Sequence, residues 1–249
     1  SPEFGYIEIH DVTSQWGVFA VAGPKSRDFL SEIVRDVDQT SALSNARFPW
    51  LSCKRVELGM CAVNAIRVSY TGELGWELHH PIEMQNYLFD LLKTVGEKYE
   101  VKWVGARAQN WLRQEKSYRA FGTELGRDAT PLEADLPRFV DMSKDFNGKS
   151  QMENIGIRSK CITLLIDGPG DADPWGREAL YAEDGTTRIG RLTSGGYSVF
   201  FEKSIGMGYV NPSFAVEGQK LKVKIQNALW NAVVTSDSPY DPKNEKLRN

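Results

Sequence analysis

Histidine and cysteine are scarce in this chain, three of each among 249 residues, and that scarcity excludes much chemistry. His10, His79 and His80 are a poor supply for a metal centre, and the His-x-x-x-His spacing of a zinc protease is absent. The adjacent pair His79–His80 points to opposite faces of any strand that holds it. Cys53, Cys61 and Cys161 are odd in number and widely spaced. They fit neither a Cys-x-x-Cys pair nor a disulfide framework, and read as small buried hydrophobes in a reducing compartment. No apolar run approaches the roughly 18–20 residues that span a membrane, and the first residues do not read as a secretory leader. Neither charge dominates: 30 Lys and Arg stand against 33 Asp and Glu, a net charge of −3. That argues against a strongly basic nucleic-acid or membrane surface and suits a small-molecule site. Also missing are a Gly-x-Gly-x-x-Gly run after the first strand, a Gly-x-x-x-x-Gly-Lys-Ser/Thr loop and a Gly-x-Ser-x-Gly elbow. No metal, nucleic-acid partner or membrane is expected.

At roughly 150 residues per domain, the length allows one large or two small domains. Hydrophobic residues make up 41% and charged residues 25%, the profile of an ordinary globular protein. Ser1-Pro2-Glu3-Phe4 reads as the remnant of a cleaved expression tag. From about Gly5 the chain runs on without an initiator Met, and Tyr6-Ile7-Glu8-Ile9 alternates like a strand already under way. A fragment of a longer polypeptide is expected.

Three blocks follow. In the first, Gly5 to Lys102, Val18–Val21 reads as a short buried strand, and Phe29, Leu30, Ile33, Val34 and Val37 recur at helical spacing after Pro24. Ala62–Tyr70 reads as a strand with Ile66, Val68 and Tyr70 on one face. Thr71-Gly72 breaks it, and Trp76–His79 returns. Ile82–Tyr99 reads as an amphipathic helix with Leu88, Leu91, Leu92 and Val95 in one stripe. In the second block, Trp103 to Ile157, Ala106–Tyr118 reads as a helix, Thr130–Pro137 as a loop between prolines and Phe146–Lys149 as a turn. The third, Arg158 to Asn249, reads as all-β: short strands near 161–166, 189–193, 205–210, 221–226 and 230–235, with a hairpin turn at Glu183–Thr186, suggest a small barrel or sandwich.

Two clusters carry candidate chemistry. In Arg67–Leu78, two strands meet at a Gly-containing turn with Tyr70 closing the first and Glu77 in the second. A carboxylate beside aromatics accepts two parallel N–H bonds from a flat amino-bearing heterocycle, and aromatic faces cover its ring; a solvated Glu beside core aromatics is the bland alternative. In Leu112–Gly122, Arg113, Lys116 and Arg119 stand three residues apart. On one helix side they hold an anionic tail, or else form a solvated face with Glu115. Glu133 and Asp135, two apart, read either as a general acid/base pair or as part of a loop tying two domains together.

These residues carry a family resemblance. Tyr70-Thr71-Gly72-Glu73-Leu74-Gly75-Trp76-Glu77-Leu78 resembles the hallmark run of the glycine cleavage T-protein (aminomethyltransferase) family. Leu112–Leu125, Asp128–Leu136, Val12–Gly17 with Ala22–Ser26, Leu192–Gly195, Ser204–Val210 and Ser238–Pro242 are similar, in order, to the folate-binding part of dimethylglycine and sarcosine dehydrogenases. The resemblance implies an α+β fold. A T-protein-like α/β portion, incomplete at its N-terminus, spans residues 5–157, and a C-terminal antiparallel β-barrel spans 158–249.

In that family an upstream flavin domain oxidises an N-methyl amine, and tetrahydrofolate bound in the T-protein-like part takes the carbon as methylene-tetrahydrofolate. The resemblance implies that Glu77 holds the pterin ring and that Tyr70 lines the same site; Trp76 and Arg113 are expected as further cofactor-binding residues. The catalytic Asp and the FAD domain lie upstream of these residues, so the chain alone is expected to be inactive. Its partners are then a folate and the flavin domain of the same polypeptide, in a bacterial cytoplasm or a mitochondrial matrix. One departure matters: where the T-protein has an Ala-Ala-Arg-Asp type stretch, this chain has Ala108-Gln109-Asn110-Trp111, so Gln109 replaces the arginine. That favours the dehydrogenase subgroup over glycine cleavage. Two alternatives stand beside this reading. One is a non-catalytic homologue like the regulatory subunit of pyruvate dehydrogenase phosphatase; the other is a folate-dependent demethylase of another methylated osmolyte.

Overall fold

The computed structural model describes residues 5–249; the tag expected at residues 1–4 lies outside them. The chain divides into two compact units, one of residues 5–69, 73–103 and 244–249, the other of residues 70–72 and 104–243.

The first unit is a four-stranded antiparallel sheet with helices on one face. In chain order it holds β1 (Trp16–Ala22), α1 (Ser26–Ser31), α2 (Gln39–Ala42), β2 (Cys53–Leu58), β3 (Cys61–Ile66), β4 (Gly75–Pro81) and α3 (Gln85–Gly96). The strand order is β1-β4-β3-β2. Period-two alternation sorts the side chains. Cys61, Val63 and Ala65 of β3 and Trp76 and Leu78 of β4 face inward, against Phe29 and Leu30 of α1 and Leu88 and Leu92 of α3. The adjacent histidines split as their parity requires. His80 is fully buried, stacked on Phe19 with ring centroids 4.8 Å apart, while His79 faces outward. Gly17 lies directly across from His80, and a Cβ there would come within 2.6 Å of the His80 Nε2, so only glycine lets the imidazole in.

In this unit two boundaries and the burial of one residue differ from the sequence expectation. β3 stops at Ile66, four residues short of Tyr70, because Val68 N–H turns back to the Ile66 carbonyl at 3.0 Å and breaks the extended run. Val37 is fully exposed: α1 ends at Ser31, and Val34 pairs in an isolated bridge with Leu58, which takes the chain off the helical path. Val18 is half exposed, because β1 is an edge strand and the face carrying Val18 is not covered by the helices.

The second unit contains α4 (Ala106–Glu115), α5 (Lys149–Ile155) and six strands: β5 (Lys160–Ile166), β6 (Ala179–Ala182), β7 (Arg188–Ser198), β8 (Lys203–Val210), β9 (Lys220–Ile225) and β10 (Ala228–Val234). They close into an antiparallel barrel in the order β10-β5-β8-β7-β6-β9, filled by Leu164, Ile166, Leu180, Leu192, Val223, Ile225 and Val234. Closure removes the open edges of the sheet. Asp184 sets the turn between β6 and β7. Its carboxylate accepts from the Thr186 and Thr187 N–H groups and the Thr187 hydroxyl, and these bonds hold its pKa down to about 2. The fold class is that expected, α+β: an α/β portion followed by a closed antiparallel β-barrel.

Candidate functional site

Glu77 sits on the outer face of β4, away from the helices. Its neighbours across the sheet are Ala20 of β1 and Ile66 of β3, apolar residues that offer the carboxylate no polar partner. The side chain is 41% exposed and bonds His79, whose Nε2 lies 3.1 Å from Glu77 Oε2. Among the described residues no other side chain bonds this carboxylate. The arrangement is a half-sheltered acceptor on a flat strand face, with most of its lone pairs open to a planar donor.

Trp76, one residue away, has the opposite fate. It is 1% exposed and packs edge-on against Phe48, 6.4 Å between centroids. The Arg27 and Arg67 guanidinium groups each lie 5.9 Å from its ring centre. The expectation that Trp76 touches a ligand together with Glu77 is corrected: consecutive strand residues face opposite ways, so Trp76 belongs to the core.

Tyr70 lies in the other unit. Its hydroxyl donates to the Arg119 carbonyl at 3.1 Å and its ring stacks on Tyr118, 5.9 Å between centroids. Burial pushes its pKa up, and 37% of the residue stays accessible, so the ring offers a face while the hydroxyl proton is committed. Tyr70→Phe is expected to cost about 1 kcal/mol of stability through that lost bond, read as a lower urea midpoint.

Arg113, Lys116 and Arg119 do not form an open cationic stripe. α4 ends at Glu115. Ser117 takes a left-handed conformation at φ 54°, and Tyr118 N–H reaches back to the Arg113 carbonyl at 2.9 Å, a Schellman-type stop. Lys116 donates to the Tyr240 and Asp241 carbonyls, and Arg119 to the Ala134 carbonyl and Asp237. Arg113 is 1% exposed. It donates to Glu124 Oε2 at 2.7 Å, to the Tyr118 carbonyl at 2.8 Å, to Asn110 Oδ1 and to Ser194 Oγ at 2.6 Å. The expectation that Arg113 binds a cofactor is corrected on this ground: every guanidinium nitrogen is occupied inside the protein.

Glu124, which the sequence reading did not single out, is the hub of that network. Thr193 and Ser194 hydroxyls donate to its Oε1 at 2.7 and 2.6 Å. Consecutive strand residues normally diverge, but a bulge in β7 between Leu192 and Ser194 brings both onto one carboxylate. Burial pushes the Glu124 pKa up, yet the Arg113 charge, the two hydroxyls and the Ala120 N–H outweigh it and hold the group ionised.

Glu133 and Asp135 are not an acid/base pair. Thr130 N–H donates to Glu133 Oε2 at 2.8 Å and Glu133 N–H to Thr130 Oγ1 at 3.2 Å, the reciprocal capping of a Thr-x-x-Glu box. Arg158 adds bonds from its backbone N–H and its guanidinium. Burial opposes ionisation, but these donors prevail and lower the pKa to about 2. A carboxylate depressed on folding contributes stability above its unfolded pKa and loses it as pH falls through the folded value. The wild type is therefore expected to lose about 2–3 kcal/mol of this contribution between pH 5 and pH 2. Glu133→Gln should flatten that part of a urea-midpoint-against-pH curve.

Comparison with known proteins adds to this geometry. Residues 2–144 match the family described as GCVT N-terminal domain, and residues 160–241 match the Glycine cleavage T-protein C-terminal barrel domain. The mitochondrial dimethylglycine dehydrogenase of Homo sapiens is 36% identical over 241 residues, 94% of this chain and 27% of that protein. An aminomethyltransferase of Caldanaerobacter subterraneus is 31% identical over 245 residues, 96% of this chain and 62% of that protein. The chain thus spans about a quarter of the dehydrogenase and less than two thirds of the aminomethyltransferase. The solved glycine cleavage system aminomethyltransferase T of Bartonella henselae superposes with a TM-score of 0.65 at 19% identity, covering 91% of this chain and 84% of that one; the likeness is one of fold. Among the described residues no helix is long and apolar enough to cross a membrane.

Proposed function

We propose that this chain, which belongs to the glycine cleavage T-protein family, is the tetrahydrofolate-binding part of an FAD-dependent N-methyl amine dehydrogenase of the dimethylglycine or sarcosine type. The observation that carries the reading is the Glu77 carboxylate, set on a strand face between Ala20 and Ile66 and, among the described residues, bonded only by His79. Such a carboxylate fits the adjacent ring N–H and amino group of a pterin. A reduced folate supplies the nitrogen that takes up the one-carbon unit. Glu77 orients the ring. No glycine-rich phosphate cradle is present among these residues, so the flavin chemistry is assigned to another part of the polypeptide, in a mitochondrial matrix or a bacterial cytoplasm.

The dehydrogenase reading is favoured over glycine cleavage by the similarity to dimethylglycine dehydrogenase and by Gln109-Asn110 in place of Arg-Asp. Asn110 is built into the Arg113 network as an acceptor. Calorimetric titration with folinic acid, a stable reduced folate, tests the function. Saturable binding is expected, with Glu77→Ala weakening it by about 1.5–3 kcal/mol, the range for charge-assisted hydrogen bonds. An unchanged affinity in Glu77→Ala removes Glu77 from the site. No binding in either this chain or the full-length protein favours the non-catalytic homologue.

A further inference from the structure

His79 stands two residues beyond Glu77 on β4, and we infer that it is a positioning residue that holds the Glu77 carboxylate ready for the pterin. The inference rests on the folate reading above. Residues i and i+2 of a strand share a face, and here the side chains meet, His79 Nε2 to Glu77 Oε2 at 3.1 Å. To make that bond a neutral imidazole carries its proton on Nε2 and donates it. A carboxylate has about four lone-pair sites. His79 occupies one on Oε2, and a flat heterocycle with a ring N–H beside an amino group needs one on each oxygen. Both demands are met at once.

Glutamate is a costly residue to order, because several side-chain torsions are fixed when a ligand takes hold. A partner that fixes them in advance spares the ligand that cost. Among the described residues of the neighbouring strands, none performs the task. Trp16, Val18 and Ala20 of β1 and Asn64 and Ile66 of β3 bring no charge to the pair. Arg55 and Glu57 lie on β2, which is separated from β4 by β3. His80, of the same residue type and next in sequence, is spent on the core, its Nδ1 on the Leu78 carbonyl at 2.9 Å.

The test is a double-mutant cycle on this chain, with folinic acid affinity read by calorimetry and thermal stability read alongside. His79→Ala is expected to weaken binding about tenfold without moving Tm. His79→Gln, whose amide nitrogen reaches the place of Nε2, should bind within about threefold of wild type. In a Glu77→Ala background, His79→Ala should change nothing further, since its effect passes through Glu77. Suppose instead that Glu77→Ala abolishes binding while His79→Ala does not affect it, that the two losses multiply, or that Gln binds as weakly as Ala. Each of these overturns the role of His79 and leaves the folate reading standing. Where this chain alone does not bind, the cycle is read on the full-length protein; no saturable binding there, or binding indifferent to Glu77→Ala, overturns the folate reading and the role of His79 with it.

Discussion

Arg113→Ala is expected to lower the stability of the barrel-bearing unit by about 3–5 kcal/mol, the cost of breaking a buried ion pair from one side. The reason lies in what the substitution leaves behind. Glu124 stays fully buried and ionised, with its Thr193, Ser194 and Ala120 donors in place but its countercharge gone. Arg113→Lys should recover only part of the loss, because a point charge on a flexible stem does not reach Glu124, Asn110, Ser194 and the Tyr118 carbonyl together. The effect is expected in urea denaturation at neutral pH, and it should shrink on acidification as Glu124, whose pKa is lowered by folding, takes up a proton. A ligand-binding arginine predicts the reverse: intact stability and lost affinity.

Trp76→Ala is expected to cost about 3–5 kcal/mol in the first unit, the range for emptying a large aromatic site in a packed core. The indole fills the space between Phe48 and the Arg27 and Arg67 guanidinium groups. Among the described residues its Nε1 has no hydrogen-bond partner, so a phenyl ring loses no polar contact there. Trp76→Phe should therefore cost much less, about 1–1.5 kcal/mol. At a temperature where both variants are folded, folinic acid affinity should match wild type, because the residue faces away from Glu77. A selective loss of affinity in Trp76→Phe would restore Trp76 to the site.

Much of this was legible in the residues, and where it was not the cause is physical. The Tyr70–Leu78 run carried the family, and strand parity already separated His79 from His80. The same parity, applied to Trp76 and Glu77, places the tryptophan in the core; its adjacency to Glu77 in the run grouped them instead. The Arg113, Lys116 and Arg119 spacing pointed to one helix side because nothing in the residues marks a stop at Glu115. The left-handed residue of that stop is Ser117 rather than the usual glycine, and its conformation is stabilised by tertiary bonds. Its hydroxyl partners Thr163 and accepts from the Ser238 N–H, contacts distant in sequence. Glu124 was hidden for a similar reason, since its partners at 113, 193 and 194 are assembled by a bulge that local pattern does not announce. Glu133 had a readable signal, the Thr-x-x-Glu spacing, which identifies a cap rather than a catalytic pair.

The central claim is that a reduced folate rests its pterin on the outer face of β4. Mapping by amide NMR tests it most directly: the backbone of the labelled chain is assigned and folinic acid added in steps. The account predicts that the largest shifts fall on Glu77 and His79, with smaller ones at Ala20 and Ile66 beside them. Shifts confined to the barrel strands β5–β10, with Glu77 and His79 unmoved at saturation, would contradict it.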